Sequence, residues 1–238
     1  MKQVFVKPED RPITKERIND TVRVVIPVIL YAIFYLSWFF KIEGIHSTHY
    51  TVMDTTFDYS IPFLEIFVIP YYCWFLYILI PVAYFVLKYD LEDYFRVLMF
   101  LLTGMTLFLI ISTLFPNIQY LRPAVMPRDN FCCRMVANIY RADTPTNLWP
   151  SIHVYNSIGV AIAVRHSKRI RPLVKSLSDV LCVLIILSTM FIKQHTIFDV
   201  LTAFILAIVM YVVAYRSELV NKMLTRHELR LEKARILN

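Results

Sequence analysis

The chain has 238 residues, of which 58% are hydrophobic and only 18% are charged, and it contains just three glycines. A soluble domain of this size carries more charge and more turn residues, so the composition excludes an ordinary soluble domain. The formal net charge of +7 could suggest a nucleic-acid partner. The basic residues are instead distributed as in a membrane protein, and we expect no nucleic-acid partner.

Six long apolar stretches predict an all-α, polytopic membrane protein with six transmembrane helices. They cover residues 24–40, 61–87, 97–115, 152–164, 177–192 and 197–215. Because a bilayer core of about 30 Å requires about 20 helical residues, the short fourth helix must begin near Pro150 and Ser151. The fifth and sixth stretches together exceed one crossing, so we divide them at Lys193, Gln194 and His195.

The positions of lysine and arginine predict how these helices are oriented, because cytoplasmic loops are enriched in both residues. With a cytoplasmic N terminus, residues 1–23, 88–96, 165–175 and 216–238 lie inside and hold 19 of the 25 basic residues. We therefore expect a cytoplasmic N-terminal segment (1–23), a six-helix membrane catalytic domain (24–215) and a cytoplasmic, basic, amphipathic tail (216–238). Both termini are expected in the cytoplasm, and the cell membrane is the expected location.

The first group of candidate catalytic residues lies at the outer start of the fourth predicted helix, where Pro150, Ser151 and His153 stand together. Ionisable side chains at a membrane span are costly and therefore indicate function. A proline suits a first helical turn, whose free amides favour a bound anion, and Ser151 adds a hydroxyl donor. His153 can act as an acid or a base near neutral pH. A chance histidine at a helix start is the alternative.

The second group opens the sixth predicted helix, where His195 and Asp199 are four residues apart. This spacing puts both side chains on one helical face, one turn apart. Asp199 can then accept a hydrogen bond from one ring nitrogen of His195, which leaves the other nitrogen free to attack an electrophile. The alternatives are a structural tie or a helix cap.

The third candidate is Arg122, which precedes a proline in the loop after the third predicted helix. Its guanidinium matches the geometry of a phosphate and stays charged. All three groups fall on the non-cytoplasmic side of the predicted topology. His46, His49 and Asp54 also lie on that side, but no helix is evident around them and we expect no catalytic role there.

The order Arg-Pro, Pro-Ser-x-His and His-x-x-x-Asp, from Arg122 to Asp199, resembles the motifs of the type 2 phosphatidic acid phosphatase superfamily. The membrane members of that superfamily have six spans and act without a metal or cofactor, through a phosphohistidine. The resemblance implies that His195 is the nucleophile, that Asp199 orients it and that His153 protonates the leaving alcohol. It also implies that Arg122 and Ser151 bind the phosphate.

Two cations of the family pattern are missing from this chain. Phe115 stands where the family has a lysine, and Thr189 stands where it has an arginine. Lys193 is the expected replacement for one charge at the phosphate, and Arg128 or Arg141 for the other. The motifs without the second arginine are closer to the branch that contains inositol-phosphoceramide and sphingomyelin synthases, which are phosphotransferases.

These features predict a metal-independent membrane lipid phosphatase that hydrolyses a lipid phosphomonoester or diphosphate. The expected substrate is a phospholipid or a polyprenyl phosphate, and no cofactor is expected. One alternative is a phosphotransferase that moves a phospho-head group between lipids. The other is a non-enzymatic transporter or scaffold, against which the scarcity of glycine and the lack of an internal repeat argue.

Overall fold

The computed structural model describes residues 15–45, 47 and 49–236, which form an almost entirely helical protein. Within these residues the helices are α1 Lys15–Glu43, α2 Thr56–Ser60, α3 Val68–Leu87, α4 Leu91–Leu114, α5 Phe131–Ala142, α6 Ile152–His166, α7 Pro172–Phe191, α8 Ile197–Tyr211 and α9 Leu219–Ile236. A 3-10 turn, Glu65–Phe67, precedes α3, and a π-helical turn, Val212–Arg216, extends α8. Two short strands, β1 Thr51–Val52 and β2 Asn117–Ile118, pair in parallel. Residues 1–14 of the expected N-terminal segment and the last two residues of the expected tail lie outside the described residues.

Five helices in the described part of the chain are long and apolar enough to cross a membrane. They cover Arg17–Glu43, Glu65–Leu87, Leu91–Leu114, Pro172–Phe191 and Ile197–Arg216. Large apolar side chains such as Leu30, Phe75 and Ile205 are exposed on their outer faces. Such extensive apolar exposure suits contact with lipid rather than with water. The prediction of an all-α protein with helices that can span a membrane is confirmed.

The fourth apolar stretch forms α6, which has 15 residues and is therefore about 22 Å long. It is shorter than the five helices above because it begins at a polar cap. Ser151 is the N-cap residue, and its hydroxyl accepts a hydrogen bond from the Val154 amide at 3.3 Å. Pro150 precedes this cap and lies outside the first helical turn, in which the sequence analysis had expected it.

α6 lies at the centre of the bundle and packs against α3, α4, α7 and α8. Glycines allow α4 and α6 to approach closely, as is common between membrane helices. A Cβ atom at Gly159 would lie 2.4 Å from the Phe100 ring, and Gly104 faces the ring of Tyr155 in the same way. The two rings stack 4.7 Å apart, and the Tyr155 hydroxyl donates to the Phe100 carbonyl at 2.7 Å. This contact fixes the position of α6 along the axis of α4.

Residues 116–149 contain α5, for which apolar length alone predicts only a loop. Asn130 caps this helix by accepting a hydrogen bond from the Cys133 amide at 2.8 Å. Cys133, Val136 and Ile139 form its buried face. Their spacing of three residues is the sequence signal for the helix. Hydropathy misses it because the opposite face is polar.

The loop that contains α2 is fastened to the residues that precede α8. The buried carboxylate of Asp58 accepts hydrogen bonds from the amides of Thr55 and Ile197, both at 2.7 Å. The ammonium group of Lys193 donates to the carbonyl oxygens of Asp58 at 2.8 Å and Ile61 at 2.6 Å. These contacts hold residues 193–197 in place.

Candidate functional site

His153 and His195 meet at the end of the bundle where α6 and α8 begin. Nδ1 of His153 lies 3.3 Å from Nε2 of His195, and the ring centroids are 5.4 Å apart. α6 and α8 pack side by side with their N termini at this same end. The two histidines, which are 42 residues apart in sequence, therefore form one cluster.

Asp199 lies on the other side of the His195 ring. Its Oδ2 atom is 3.4 Å from Nδ1 of His195, a separation longer than an ordinary N–H···O hydrogen bond. The same oxygen accepts the amide of Thr196 at 2.8 Å, and the Thr196 hydroxyl accepts the amide of Asp199 at 3.2 Å. Asp199 therefore caps α8 and also faces the histidine, so the two interpretations of this residue are compatible. Contacts of this kind often shorten only when substrate is bound.

A tight turn after α7 positions His195. The carbonyl oxygen of Thr189 accepts the amides of Gln194 at 2.8 Å and His195 at 3.0 Å. Thr189 is fully buried, and its hydroxyl donates to the carbonyl of Ile186 at 2.8 Å. Lys193 has a φ of 54°, a left-handed conformation that is uncommon for residues other than glycine. The surrounding hydrogen bonds impose this backbone path.

The side chain of Lys193, the expected replacement for one charge at the phosphate, extends to the loop that contains α2. Both contacts of the ammonium group are with carbonyl oxygens of the α2 loop, those of Asp58 and Ile61. Burial lowers the pKa of Lys193. Its charge is therefore used to hold the loop.

The other proposed replacements for the missing cations are also engaged elsewhere. Arg128 pairs with Glu65 at 3.2 Å, and Arg141 donates to the side chain of Asn138. Phe115 lines a separate surface pocket. None of these side chains lines the cavity at the histidines among the residues that the structure describes.

Arg122 lies behind the turn that carries the candidate nucleophile. Its guanidinium donates to the carbonyl oxygens of Asp143 at 2.6 Å and Thr144 at 3.0 Å, and to Oε1 of Gln194 at 2.8 Å. It also lies over the ring of Tyr140, 4.6 Å from the centroid. Burial lowers the pKa of Arg122, against opposing effects that are led by Asp143. Its buried Nε has no hydrogen-bond partner among the described residues, and Arg122 is not among the residues that line the cavity at the histidines.

Ser151 joins the start of α6 to the start of α8. Its amide donates to the carbonyl of Asp199 at 3.4 Å, and its hydroxyl caps α6. The side chain is fully buried. Ser151 therefore sets the position of His153 relative to His195.

Two aromatic residues of α3 hold the ring of His153. Its centroid lies 4.7 Å from that of Tyr71, with which it stacks, and 4.3 Å from that of Trp74. Because both rings are buried in the bundle, they restrict the orientation of the imidazole. Sequence spacing gave no reason to select either residue.

A cavity of about 630 Å³ extends from the two histidines along the apolar sides of α1, α3 and α4. Asn138 and Asp143 join the histidines at its polar end. Its far edge includes Leu36, Phe75 and Leu79, whose side chains are exposed on the lateral surface of the bundle. The cavity therefore suits a molecule with a polar head and an apolar chain.

Asp143 is a titratable group of this cavity that no sequence motif identifies. Burial raises its pKa to about 6, against the opposing effects of Arg122 and His195, while Glu43 raises it further. Its only sequence signal is an acidic residue in a loop between two motifs, and that signal is too common to select it.

His49 and Asp54, for which no catalytic role is expected, stand apart from this cluster. His49 is exposed, and Asp54 accepts hydrogen bonds from the Tyr59 hydroxyl at 2.5 Å and the Tyr120 amide at 3.2 Å. His46 lies outside the described residues.

Within the described residues, no group of three or more His, Cys, Asp or Glu side chains is arranged to hold a metal ion. No family model, curated protein or solved structure matches the chain. The function is therefore inferred from the geometry of the cluster and its cavity.

Proposed function

We propose that this protein is a metal-independent membrane lipid phosphatase that hydrolyses a lipid phosphomonoester or diphosphate through a phosphohistidine on His195. The observation that carries the proposal is the row of His153, His195 and Asp199 at the polar end of an apolar cavity. A lipid chain fits along the walls of the cavity, and its phosphate then lies against the histidines.

The reaction has two steps. Nε2 of neutral His195 attacks the phosphorus, the bond from phosphorus to the lipid oxygen breaks, and protonated His153 gives a proton to that oxygen. Water then attacks the phosphohistidine and passes a proton to His153. Inorganic phosphate leaves, and neutral His195 is regenerated.

The contacts of His195 assign a separate role to each of its nitrogens. A proton on Nδ1 faces the carboxylate of Asp199, so the lone pair of Nε2 faces His153. That lone pair accepts from Nδ1–H of His153 while the site is empty, and a bound phosphate replaces this contact. Asp199 favours the tautomer that can attack and stabilises the positive charge that develops on the ring.

The membrane topology belongs to the same proposal. α6 is also a span, the fourth of six along the chain, both termini are cytoplasmic, and the histidines lie on the non-cytoplasmic side of the cell membrane. In support, the connections rich in lysine and arginine meet at the end of the bundle opposite the histidines. There Arg96 donates to the carbonyl of Ala214 at 2.6 Å, and Arg169 pairs with Asp90 at 2.8 Å. Clusters of basic residues favour the cytoplasmic side.

A phosphotransferase is the second candidate, and the scarcity of cations in the cavity favours it. Lys193 is turned away, and Thr189 is a buried, neutral residue where the family has an arginine. A phosphodiester carries less charge than a phosphomonoester and needs less cationic support. In that reaction a lipid alcohol replaces water in the second step.

The test uses purified protein with phosphatidate and with p-nitrophenyl phosphate, and it follows free phosphate and new phospholipids together. His195→Ala should abolish phosphoenzyme formation and turnover of both substrates. His153→Ala should lower kcat for phosphatidate by about 10²–10⁴-fold. It should lower kcat for p-nitrophenyl phosphate far less, because p-nitrophenolate leaves without a proton.

His49→Ala is the matched control, because His49 is an exposed histidine outside the cluster, and its activity should equal that of the unmodified protein. Activity that survives in His195→Ala would rule out the phosphohistidine. New phospholipid without free phosphate would select the phosphotransferase. Activity that is lost in a chelator and restored by a divalent cation would contradict metal independence.

A further inference from the structure

The cavity at the histidines has a balance of charge that does not suit a doubly charged phosphate. None of the described residues that line it is a lysine or an arginine, and Asp143 is their one acidic side chain. A phosphate dianion that leaves water is ordinarily stabilised by cationic side chains or by several amide donors. A carboxylate in a cavity without cations therefore restricts the charge that a bound group can carry.

The carboxylate of Asp143 is reachable from the cavity. Neither of its oxygens has a hydrogen-bond or ion-pair partner among the residues that the structure describes, and neither is among the polar atoms that are fully enclosed without a partner. The side chain lines the cavity together with His153 and His195. Arg122 donates to the backbone carbonyl of Asp143 at 2.6 Å and makes no ion pair with its carboxylate. A ligand at the histidines therefore meets this carboxylate directly.

Several charged and titratable groups lie close enough to Asp143 to act on it. They are Arg122 of the loop after β2, Glu43 and Tyr35 of α1, Tyr71 of α3 and His195 just before α8. Burial raises the pKa of Asp143 to about 6, Arg122 and His195 oppose this effect, and Glu43 adds to it. In the empty cavity the carboxyl group is therefore mostly neutral at about pH 5 and mostly charged at about pH 8.

The two forms of Asp143 act differently on a bound phosphate. The charged form repels each negative charge on the phosphate, and the repulsion is strong because the cavity is poorly hydrated. The neutral form has an O–H group that can donate to a phosphate oxygen, so that one proton is shared between two acids. A phosphomonoester carries two charges when fully ionised, whereas a phosphodiester or a protonated phosphomonoester carries one.

We propose that Asp143 is a specificity-determining residue whose carboxyl group restricts the site to phosphate groups with a single negative charge. These are protonated phosphomonoesters and phosphodiesters, and lipid diphosphates are excluded by their higher charge. The inference rests on the proposed function, because it names the charge of the substrate that the same site accepts. It also accounts for the lack of cations around the cavity, since a singly charged phosphate needs less cationic support.

The experiment compares two non-hydrolysable lipids that differ by a methyl group, the phosphonate analogue of phosphatidate and its monomethyl ester. The ester keeps a single charge, whereas the free phosphonate gains a second charge as the pH rises. Purified protein in detergent should bind both with similar Kd at about pH 5, and should bind the ester at least about tenfold more tightly at about pH 8. Asp143→Asn keeps the shape of the side chain without the charge. At about pH 8 it should lower the Kd of the free phosphonate about tenfold and change that of the ester by less than about twofold.

Asp129→Asn is the matched control, because it removes the same charge from a side chain that is 93% exposed beside Arg134. Both Kd values should stay unchanged in this variant. A preference for the ester that is lost in Asp143→Asn supports the inference even if no phosphate is released from any substrate, and only the proposed reaction is then overturned. A preference that does not grow with pH, or that persists in Asp143→Asn, overturns the inference and leaves the phosphatase proposal standing.

Discussion

At the scale of single residues, Asp143 links the charge state of the site to the stability of the fold. Its carboxyl lines the cavity, and burial raises its pKa to about 6. In an unfolded chain the pKa of an aspartate is about 3.9. Between these values the folded protein binds more protons than the unfolded chain does. Stability contributed at this residue is therefore present at low pH and falls as the pH rises from about 4 to about 6.

Asp143→Asn should remove this cost and raise the stability at pH 7.5 by about 1–2 kcal/mol, after allowance for solvent screening. The gain should vanish near pH 3.5, where the carboxyl is protonated in both states. The measurement is the thermal unfolding midpoint in detergent across this pH range. Asp129→Asn is the control, because that side chain is 93% exposed beside Arg134. A difference in unfolding midpoint between the unmodified protein and Asp143→Asn that stays constant with pH would show that burial does not raise the pKa of Asp143.

At the scale of secondary structure elements, the contact between α4 and α6 determines where His153 stands. Gly159 admits the ring of Phe100, which is itself held by stacking on Tyr155 and cannot easily retreat. An added methyl group therefore meets the aromatic ring of Phe100. Any shift of α6 along α4 moves His153 away from its partner.

Gly159→Ala should lower the free energy of unfolding by about 1–3 kcal/mol, although alanine is the better helix former by about 1 kcal/mol. The thermal unfolding midpoint in detergent measures the effect. Gly44→Ala is the matched control, because the nearest atom to its added Cβ is the Phe40 carbonyl oxygen at 3.4 Å, an ordinary contact. An unchanged or higher midpoint for Gly159→Ala would mean that the two helices separate at little cost.

The helices that hold the site could be predicted from the sequence, because a bilayer demands apolar stretches of a fixed length. The pairing of His153 with His195 could be expected only through the resemblance, since contact between two helices is not encoded in spacing along one of them. Lys193 could not be placed, because its direction depends on a left-handed backbone that neighbouring carbonyls impose. Tyr35 and Trp74 read as ordinary apolar positions until the cavity between α1, α3 and α4 is seen.

At the scale of the whole molecule, the two ends of the bundle differ in charge and in chemistry. The histidines and α5 lie at one end, and most of the described basic residues lie at the other. Cys132 and Cys133 test which end faces outward. Cys133 is buried and Cys132 is partly exposed, so Cys132 is the one of the two that a thiol reagent can reach.

A membrane-impermeant thiol reagent applied to intact cells should label Cys132 under the proposed topology. Mass spectrometry of the modified peptide measures the result, and Cys132→Ser should remove the label. Labelling that appears only after the cells are opened would reverse the orientation of all the helices and place the histidines in the cytoplasm.

The cavity has its polar end at the exposed Asn138 and its other edge at Leu36, Phe75 and Leu79 on the lateral surface. In the proposed reaction the two products therefore leave the site by different routes. Phosphate departs into the aqueous phase, and the dephosphorylated lipid slides sideways into the leaflet from which it came. Neither product has to pass the other, so accumulation of one does not obstruct release of the second. Turnover then depends on the surface concentration of substrate in the surrounding leaflet rather than on its concentration in solution.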